Sequence, residues 1–228
     1  MLNRINKHQA ATAIAVFFHA IGLFGILFFD RNFFISTTPL NLLLSFLLLV
    51  WTQGPGKLPF FIFFIICFAG GMLAEIIGVN TGRLFGDYLY GSSLGPALKG
   101  VPWVIGINWF IIVYCCGIAI HTLLSHISKP VPGAEGRVAN LKTLSVVVDG
   151  ATIAVFFDWV MEPVAVKLGY WQWLGNGEIP IFNYVCWFLI SLPLLYFFHR
   201  LPFYRPNKFA LHLLLIQALF FLILRSFL

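Results

Sequence analysis

The chain of 228 residues is too apolar for a soluble domain, because 60% of its residues are hydrophobic and only 10% are charged, against about 25% charged in a typical globular protein. The same composition excludes a disordered chain, a coiled coil and a disulfide scaffold. The formal charge of +6 comes from basic residues scattered at the ends of apolar runs. That distribution is typical of membrane topology and not of a phosphate-binding face, so no nucleic-acid partner is expected.

Apolar runs recur along the whole chain, and most approach the roughly 20 residues that a membrane-spanning helix needs. They lie at residues 10–29, 36–52, 59–79, 103–123, 143–164, 183–199 and 209–227. The second is the weakest, since its dense part, 40–51, has only 12 residues. The first lacks a convincing cleavage site, so we interpret it as a spanning helix and not as a signal peptide. We predict an all-α, multi-pass membrane protein of about seven helices, in one domain over residues 1–228, with a polar break at 128–137.

The distribution of Lys and Arg predicts the orientation. With seven spans and a cytoplasmic N-terminus, nine basic residues lie on the cytoplasmic side and five on the other side, which favours this orientation in a bacterial cytoplasmic (inner) membrane. Five of the eight acids then lie at the outer ends of the third and fifth runs or in the connections that follow them: Glu75, Asp87, Asp158, Glu162 and Glu178. The two connections at that side, 80–102 and 165–182, are rich in Gly, Tyr and Trp. We therefore expect a binding site there.

The two halves of this predicted outer side share a pattern. Pro102 precedes Trp109 by seven residues, and Pro180 precedes Trp187 by seven residues. Glu75 precedes the first block and Asp158 the second. This order predicts a parallel internal repeat that relates helices 3–4 to helices 5–6, with a chance match of one spacing as the alternative.

Acidic residues inside the apolar runs are the main candidates for chemistry. A carboxylate in the membrane costs about 2.5–3.5 kcal/mol on insertion scales, so Glu75, Asp149 and Asp158 need a partner or a function. A low dielectric favours the neutral acid, which can donate its proton; the alternative is a structural acid bonded to a neighbouring helix. Glu162 shares a helix face with Asp158, but Pro163 disfavours helical geometry there. We expect the helix to end or kink at that point and Glu162 to reach the interface.

Aromatic residues crowd the same side. They are Tyr88, Tyr90, Trp103, Trp109, Tyr170, Trp171, Trp173 and Trp187. An interfacial belt explains such residues, and so does a pocket that stabilises a cation over aromatic faces. An acid beside aromatic faces suits protonation of an alkene to a carbocation. No histidine box, Walker loop or Rossmann fingerprint occurs, so the sequence predicts neither a metal nor a cofactor.

Two blocks of the sequence resemble a known family. The segment Glu75-Ile-Ile-Gly-Val-Asn-Thr-Gly-Arg-Leu-Phe-Gly-Asp-Tyr-Leu-Tyr-Gly, with Asn108-Trp109 after it, resembles the integral-membrane carotenoid biosynthesis proteins of bacteria and archaea that include carotenoid 1,2-hydratases. The segment Asp158-Trp-Val-Met-Glu-Pro-Val-Ala-Val-Lys-Leu-Gly-Tyr-Trp-Gln-Trp, with Asn183 and Trp187, is similar to that family's second block. The similarity covers roughly residues 70–190. One departure is Cys186, where a glycine is expected.

The resemblance implies a cofactor-independent hydro-lyase that hydrates the acyclic ψ-end of a C40 carotenoid such as γ-carotene or lycopene. Glu75 and Asp158 are the expected acid and base, in an order left open. The expected substrate contacts are Asn80, Thr81, Asp87, Tyr88, Tyr90, Trp109, Trp171, Asn183 and Trp187, with Asp149, Glu162 and Asn108 as secondary candidates. The expected partners are a carotenoid, the lipid bilayer and other enzymes of the carotenoid pathway.

Two alternatives remain open at the level of the sequence. A small integral-membrane carotene cyclase of the lycopene type would make the same cation and trap it intramolecularly in a dry pocket. The polar residues Asn80, Thr81, Asp87 and Asn183 favour access for water and therefore hydration. A non-enzymatic transporter would need polar residues across the membrane, but the first, second and seventh runs are nearly pure hydrocarbon.

Overall fold

A computed structural model of the chain describes residues 6–127 and 135–228, and it confirms the all-α, multi-pass prediction. Most of the polar break predicted at 128–137 lies outside the described residues. The described part contains eight helices: α1 (Lys7–Phe28), α2 (Arg31–Ser36), α3 (Thr38–Thr52), α4 (Lys57–Thr81), α5 (Trp103–Ile127), α6 (Glu135–Lys167), α7 (Ile181–Arg200) and α8 (Lys208–Phe227).

Short strands form in the two long connections. They are β1 (Tyr88–Tyr90), β2 (Ala97–Leu98), β3 (Val101–Pro102) and β4 (Trp171–Trp173). Strand β1 pairs antiparallel with β4, and Tyr88 lies opposite Trp173 while Tyr90 lies opposite Trp171. Strands β2 and β3 form a separate antiparallel pair. The connection after α4 is therefore joined to the connection after α6 by a two-stranded ladder.

Six of the described helices are long and apolar enough to cross a membrane, whereas α3 has 15 residues and a length of about 22 Å. The two ends of α3 nevertheless contact opposite ends of the bundle. The Thr38 Oγ1 atom lies 2.5 Å from the hydroxyl of Tyr170, just after α6. The carbonyl of Gln53 accepts a hydrogen bond of 3.3 Å from Nζ of Lys7, at the start of α1. Helix α3 therefore reaches from one end of the bundle to the other and corresponds to the weak second run.

The bundle has two ends with different compositions. We call the end formed by 82–102 and 168–180 the strand face, and the end formed by the start of α1 with 53–57 and 201–207 the N-terminal face. Helix α2 lies at the strand face, since Nη2 of Arg31 donates to the carbonyl of Lys167 at 2.6 Å. The helices α4 and α6 both run toward the strand face, which is why the acids near their ends meet there.

Helix α5 lies at the centre of the bundle. Every residue from 109 to 118 is buried, as expected of a helix that is apolar on all sides. The peripheral helices instead expose large apolar side chains, among them Phe17 on α1 at 59% and Leu215 on α8 at 53%. A belt of exposed hydrocarbon of this kind suits contact with lipid.

Helix α6 continues through Pro163 to Lys167, so the expectation that it ends there is wrong. Proline lacks the N–H that would bond the carbonyl four residues earlier, which is that of Trp159. Here Nη1 of Arg225, on α8, donates to that carbonyl at 3.3 Å, and the guanidinium lies 4.5 Å from the Trp159 ring centroid. The helix therefore keeps this carbonyl bonded, and Glu162 is only 2% exposed and does not reach the interface.

Candidate active site

Three carboxylates line one cavity near the strand face: Glu75 from α4, and Asp158 and Glu162 from α6. Their exposed fractions are 5%, 0% and 2%. From the helical rise, they lie about 8 to 14 Å below the helix ends at Thr81 and Lys167. The structure therefore brings the two predicted catalytic acids together and adds Glu162 to them.

Glu75 accepts three hydrogen bonds. The hydroxyls of Tyr88 and Tyr90 donate to its Oε2 atom, the latter at 2.8 Å, and Nε1 of Trp109 donates to Oε1 at 3.0 Å. Burial raises the pKa of both tyrosines above that of an ordinary phenol, so their hydroxyls keep the protons that they donate. Three donors around one carboxylate stabilise its negative charge.

Glu162 accepts two hydrogen bonds, both on Oε1. They come from Nε1 of Trp171 at 2.7 Å and from Nε1 of Trp173 at 2.6 Å. Side chains two residues apart lie on the same face of a strand. The pair Tyr88 and Tyr90 on β1 and the pair Trp171 and Trp173 on β4 thus supply donors for Glu75 and Glu162 from one ladder.

These contacts relate the two halves of the site differently from the internal repeat in the sequence. Glu75 corresponds to Glu162, because each accepts from residues at alternate positions of its own strand. The strand contacts therefore pair Glu75 with Glu162, whereas the sequence repeat pairs Glu75 with Asp158. Asp158 is an additional acid, one turn before Glu162.

Asp158 has a different environment from the two glutamates. Its Oδ2 atom accepts from Nδ2 of Asn183 at 2.8 Å. Its Oδ1 atom is buried and has no hydrogen-bond partner in the described part of the chain. An ionised carboxylate in such a place would lack stabilising donors, whereas a neutral carboxylic acid needs only one acceptor for its proton. Asp158 is thus the acid best suited to hold a transferable proton.

A stacked pair of indoles forms another wall of the cavity. The rings of Trp109 and Trp187 lie 3.9 Å apart between centroids, with 13° between their planes. Gly71 makes this packing possible, because a Cβ atom at that position would lie 2.4 Å from Cγ of Trp109. The flat faces offer negative electrostatic potential to a cation in the cavity.

Phe85 lines the cavity in a conformation that residues with a side chain rarely adopt. Its φ of 64° lies in the left-handed region, and its backbone N–H donates to Sγ of Cys186 at 3.2 Å. Cys186 is the residue that departs from the family pattern. Backbone strain of this kind concentrates at functional sites.

The cavity has a volume of about 30 Å³, which is room for roughly two water molecules. Asn108 lines it, and its side chain makes no hydrogen bond to another described residue. Asn108 can therefore bind a water molecule or a ligand. Tyr88, Tyr90, Trp109, Trp171, Asn183 and Trp187 also line the cavity, as the predicted contact set requires.

The structure does not bring Asn80, Thr81 or Asp87 to the cavity; all three are exposed. Helix α4 ends at Gly82, whose φ is 64°, so the last turn lies at the surface of the strand face. Two polar side chains of this turn bond nearby backbone: Nδ2 of Asn80 donates to the carbonyls of Ile76 and Lys99, and Oγ1 of Thr81 donates to the carbonyl of Ile77. The cavity therefore does not include these three predicted contacts, whose side chains lie at the surface of the strand face.

Asp149 is likewise exposed on α6 and does not line the cavity. Conversely, Trp173, Phe85, Ile105 and Met161 line it and were not among the predicted site residues. The alternation of Trp171 and Trp173, which repeats that of Tyr88 and Tyr90, was a signal for Trp173. Within residues 6–127 and 135–228, no group of three or more His, Cys, Asp or Glu side chains is arranged to hold a metal ion.

Comparison with known proteins agrees with the resemblance. Residues 36–227 match the family described as carotenoid biosynthesis protein. A bisanhydrobacterioruberin hydratase from Haloarcula japonica is 32% identical over 121 residues, which is 50% of this chain and 36% of that protein. The aligned region thus spans about a third of the relative's length. No solved structure matches the chain. Because the family match takes in most of the sequence, the chain belongs to the carotenoid biosynthesis protein family.

Proposed function

We propose that the protein is a carotenoid 1,2-hydratase, which adds water across the terminal 1,2 double bond of an acyclic ψ-end such as that of γ-carotene or lycopene. The observation that carries the proposal is a water-sized cavity beside three buried carboxylates, one of which has an oxygen with no partner among the described residues. Membership of the family and the relative named as a hydratase support it.

The first step is protonation of the alkene by Asp158. The electron pair of the double bond forms a new C–H bond at C2 with the proton of the carboxylic acid. A tertiary cation remains at C1, and Asp158 becomes a carboxylate that keeps its bond from Asn183. Transfer from a positioned acid of this kind typically accelerates a reaction by about 10²–10⁴-fold.

The cation is stabilised by the walls of the cavity. The stacked rings of Trp109 and Trp187 attract positive charge by about 0.5–2 kcal/mol per favourable contact. Glu75, surrounded by three donors, is a fixed negative charge near the cation. It acts by electrostatic stabilisation and takes no part in the main route of proton transfer.

The second step is the addition of water. The oxygen of a water molecule in the cavity forms a bond to C1, and its surplus proton passes to Glu162, whose tryptophan donors occupy only Oε1. Glu162 lies one helical turn from Asp158 and returns the proton to it. One water is consumed, no electron is gained or lost, and the carboxylates are restored.

Expression in a host that makes lycopene or γ-carotene tests the function directly. The expected product is the carotenoid with the mass of one added water and a tertiary hydroxyl group. A product of unchanged mass with a new ring would identify a cyclase. Unaltered carotenoid, in cells where the protein is inserted and folded, would contradict both. Expression of Asp158→Asn in parallel controls for hydration by the host.

We also propose that the strand face lies on the side of the membrane away from the cytoplasm, as the count of Lys and Arg predicts. Single cysteines at exposed Ser92 and Lys57 mark the two faces, and the four native cysteines are all buried. A membrane-impermeant thiol reagent should label intact cells at position 92 and not at position 57. The reverse pattern would contradict the orientation without affecting the chemistry.

A further inference from the structure

We infer that a long linear polyene reaches the carboxylates sideways from the bilayer, through a channel that passes between α1 and α3. The inference rests on the proposed function, because it identifies how the substrate of that site arrives and where its chain lies. Three adjoining cavities and a surface groove define the route, and each shares wall residues with the next.

The first link joins the acid cavity to a second cavity of about 70 Å³. The two have four wall residues in common: Ile105, Asn108, Met161 and Trp171. A chain end in the second cavity therefore lies directly beside the carboxylates. Ile105 and Met161 give this junction an apolar side, and Asn108 gives it a polar one.

The second cavity is mostly apolar but carries polar groups from three helices: His19, Asn41 and Gln217. Nδ1 of His19 bonds to the carbonyl of Ala15 at 2.8 Å, which leaves Nε2 for another partner. Oδ1 of Asn41 is buried and has no partner among the described residues. Since hydration consumes one water per turnover, these groups suit a space that admits water together with the chain end.

The second link leads outward to a third cavity of about 280 Å³, which shares Thr38, Asn41 and Phe220 with the second. Its remaining walls come largely from α1 and α3. Beyond it, an apolar groove of about 510 Å³ on the surface of α1 shares Ile21 and Phe34 with the third cavity. The groove is thus continuous with the carboxylate site.

The depth of the route matches the depth of the acids. Gly22 is six residues from the end of α1 at Phe28, and Leu44 is six residues after Thr38, so both lie about 9 Å below the strand face. The carboxylates lie about 8 to 14 Å below it. The channel therefore runs parallel to the membrane plane and opens among side chains such as Phe24, which is 56% exposed.

The lining indicates the chemistry of the occupant. None of the described residues that line the three cavities and the groove is Lys or Arg. A lipid phosphate would find no cation there, and it would meet three carboxylates at the inner end. An uncharged hydrocarbon chain fits the walls, and a linear one fits a succession of narrow cavities.

Gly22 provides a direct way to block the channel. A Cβ atom at this position would meet only Cε2 of Phe220, at 3.9 Å, so Gly22→Trp adds its bulk to the third cavity. Val16→Trp is the matched control, because Val16 lies on the same helix, is 48% exposed and does not line the cavities of the route. Leu40→Trp, on the opposite wall at 66% exposure, repeats the test if Gly22→Trp does not insert.

The measurement is hydration in detergent of the carotenoid and of a short acyclic isoprenoid that carries the same 1,2 end. The blocked variants should lose about tenfold or more in kcat/KM for the carotenoid, mainly through KM. They should lose clearly less for the short substrate, because its chain does not have to lie in the third cavity when its end is at the carboxylates. Val16→Trp should match the wild type on both. If Gly22→Trp and Leu40→Trp hydrate the carotenoid as Val16→Trp does, the channel is overturned while the proposed function stands. If the wild type hydrates neither substrate, the proposed function itself fails.

Discussion

Two buried polar clusters in the described residues, one toward each end of the bundle, differ in the hydrogen-bonding groups that they leave without a partner. The carboxylate cluster near the strand face consists of Glu75, Asp158 and Glu162 with their donors. The amide cluster near the N-terminal face consists of Thr52, Gln53, Tyr114 and Asn207, all buried. Both occupy an apolar bundle where unpaired polar groups are costly.

The amide cluster is neutral, and its members bond one another. The hydroxyl of Tyr114 donates to Oε1 of Gln53 at 2.7 Å, and Nδ2 of Asn207 donates to Tyr114 at 3.2 Å and to Thr52 at 3.3 Å. Nε2 of Gln53 donates to the carbonyl of Tyr204 at 2.8 Å. The network ties the end of α3 to α5 and to the connection before α8.

The contrast between the two clusters shows that burial of polar groups does not by itself mark an active site. A network that satisfies its members fixes the packing of helices. The carboxylate cluster instead surrounds a cavity and leaves Oδ1 of Asp158 without a partner in the part of the chain that the structure describes. An unpartnered carboxylate oxygen beside a cavity can take part in a reaction. Substitutions in the carboxylate cluster should therefore lower turnover, and substitutions in the amide cluster should lower stability.

Asp158→Asn should have the largest effect on turnover, a loss of about 10²–10⁴-fold. The amide keeps an oxygen for the bond from Asn183 but has no proton to give to the alkene. The measurement is kcat of purified protein, with folding checked by size-exclusion profile and thermal midpoint. Near-normal turnover at equal folded amount would show that Asp158 is not the acid.

Glu162→Gln should lower turnover less, by about 10²-fold. The amide oxygen can still accept from Trp171 and Trp173, so folding should be retained, but proton return to Asp158 is lost. Glu75 can accept the proton of water more slowly in its place. Full activity of Glu162→Gln, compared with Glu162→Asp as the variant that keeps the acid, would remove Glu162 from the proton cycle.

Asn207→Leu should lower stability and leave turnover unchanged, the reverse of the carboxylate variants. It removes the amide that donates to the hydroxyls of Tyr114 and Thr52, and the side-chain oxygen that accepts from the backbone N–H of Ala210 at the start of α8. Leaving that buried N–H without its acceptor costs about 1–3 kcal/mol. We expect a lower thermal midpoint in detergent and less inserted protein, with unchanged kcat for each folded molecule. A large fall in kcat at normal stability would contradict the separation of the two clusters.

Asn80→Ala and Asp87→Asn should have the smallest effects, because both side chains are exposed and lie outside the cavity. Surface changes of this kind usually alter stability by less than about 0.5 kcal/mol. Turnover and KM should stay within about twofold of the wild type. A loss comparable with that of Asp158→Asn would mean that the substrate binds over the strand face and not through the bundle.

Much of the fold could be predicted from hydropathy, since each apolar run became a helix and the weak second run became α3. Glu75 and Asp158 could be found for a related reason, namely that a carboxylate within an apolar run is costly. Glu162 was misplaced because Pro163 signals a helix end locally. The hydrogen bond that replaces the missing one comes from Arg225, which is 66 residues away in sequence, and no local pattern reports such a contact.

Asn80, Thr81 and Asp87 lie outside the cavity, although the sequence grouped them with the site. A polar residue at a helix end or in a loop looks the same in sequence whether its side chain bonds nearby backbone or a ligand. The amide cluster was not predicted, because two of its residues look like surface residues in the sequence. Gln53 and Asn207 belong to connections that a sequence-based reading assigns to turns at the surface, yet the packing of α5 against both connections buries them.

In the proposed mechanism, a buried carboxylic acid protonates the alkene and water then captures the cation. Purified wild-type protein should be incubated with γ-carotene or lycopene in deuterium oxide enriched in heavy oxygen, and the product should be analysed by mass spectrometry and NMR. The account predicts one deuterium at C2 and one heavy oxygen at C1 in each hydrated end, with no incorporation for Asp158→Asn. Oxygen derived from molecular oxygen, or deuterium at C2 without any added oxygen, would contradict it.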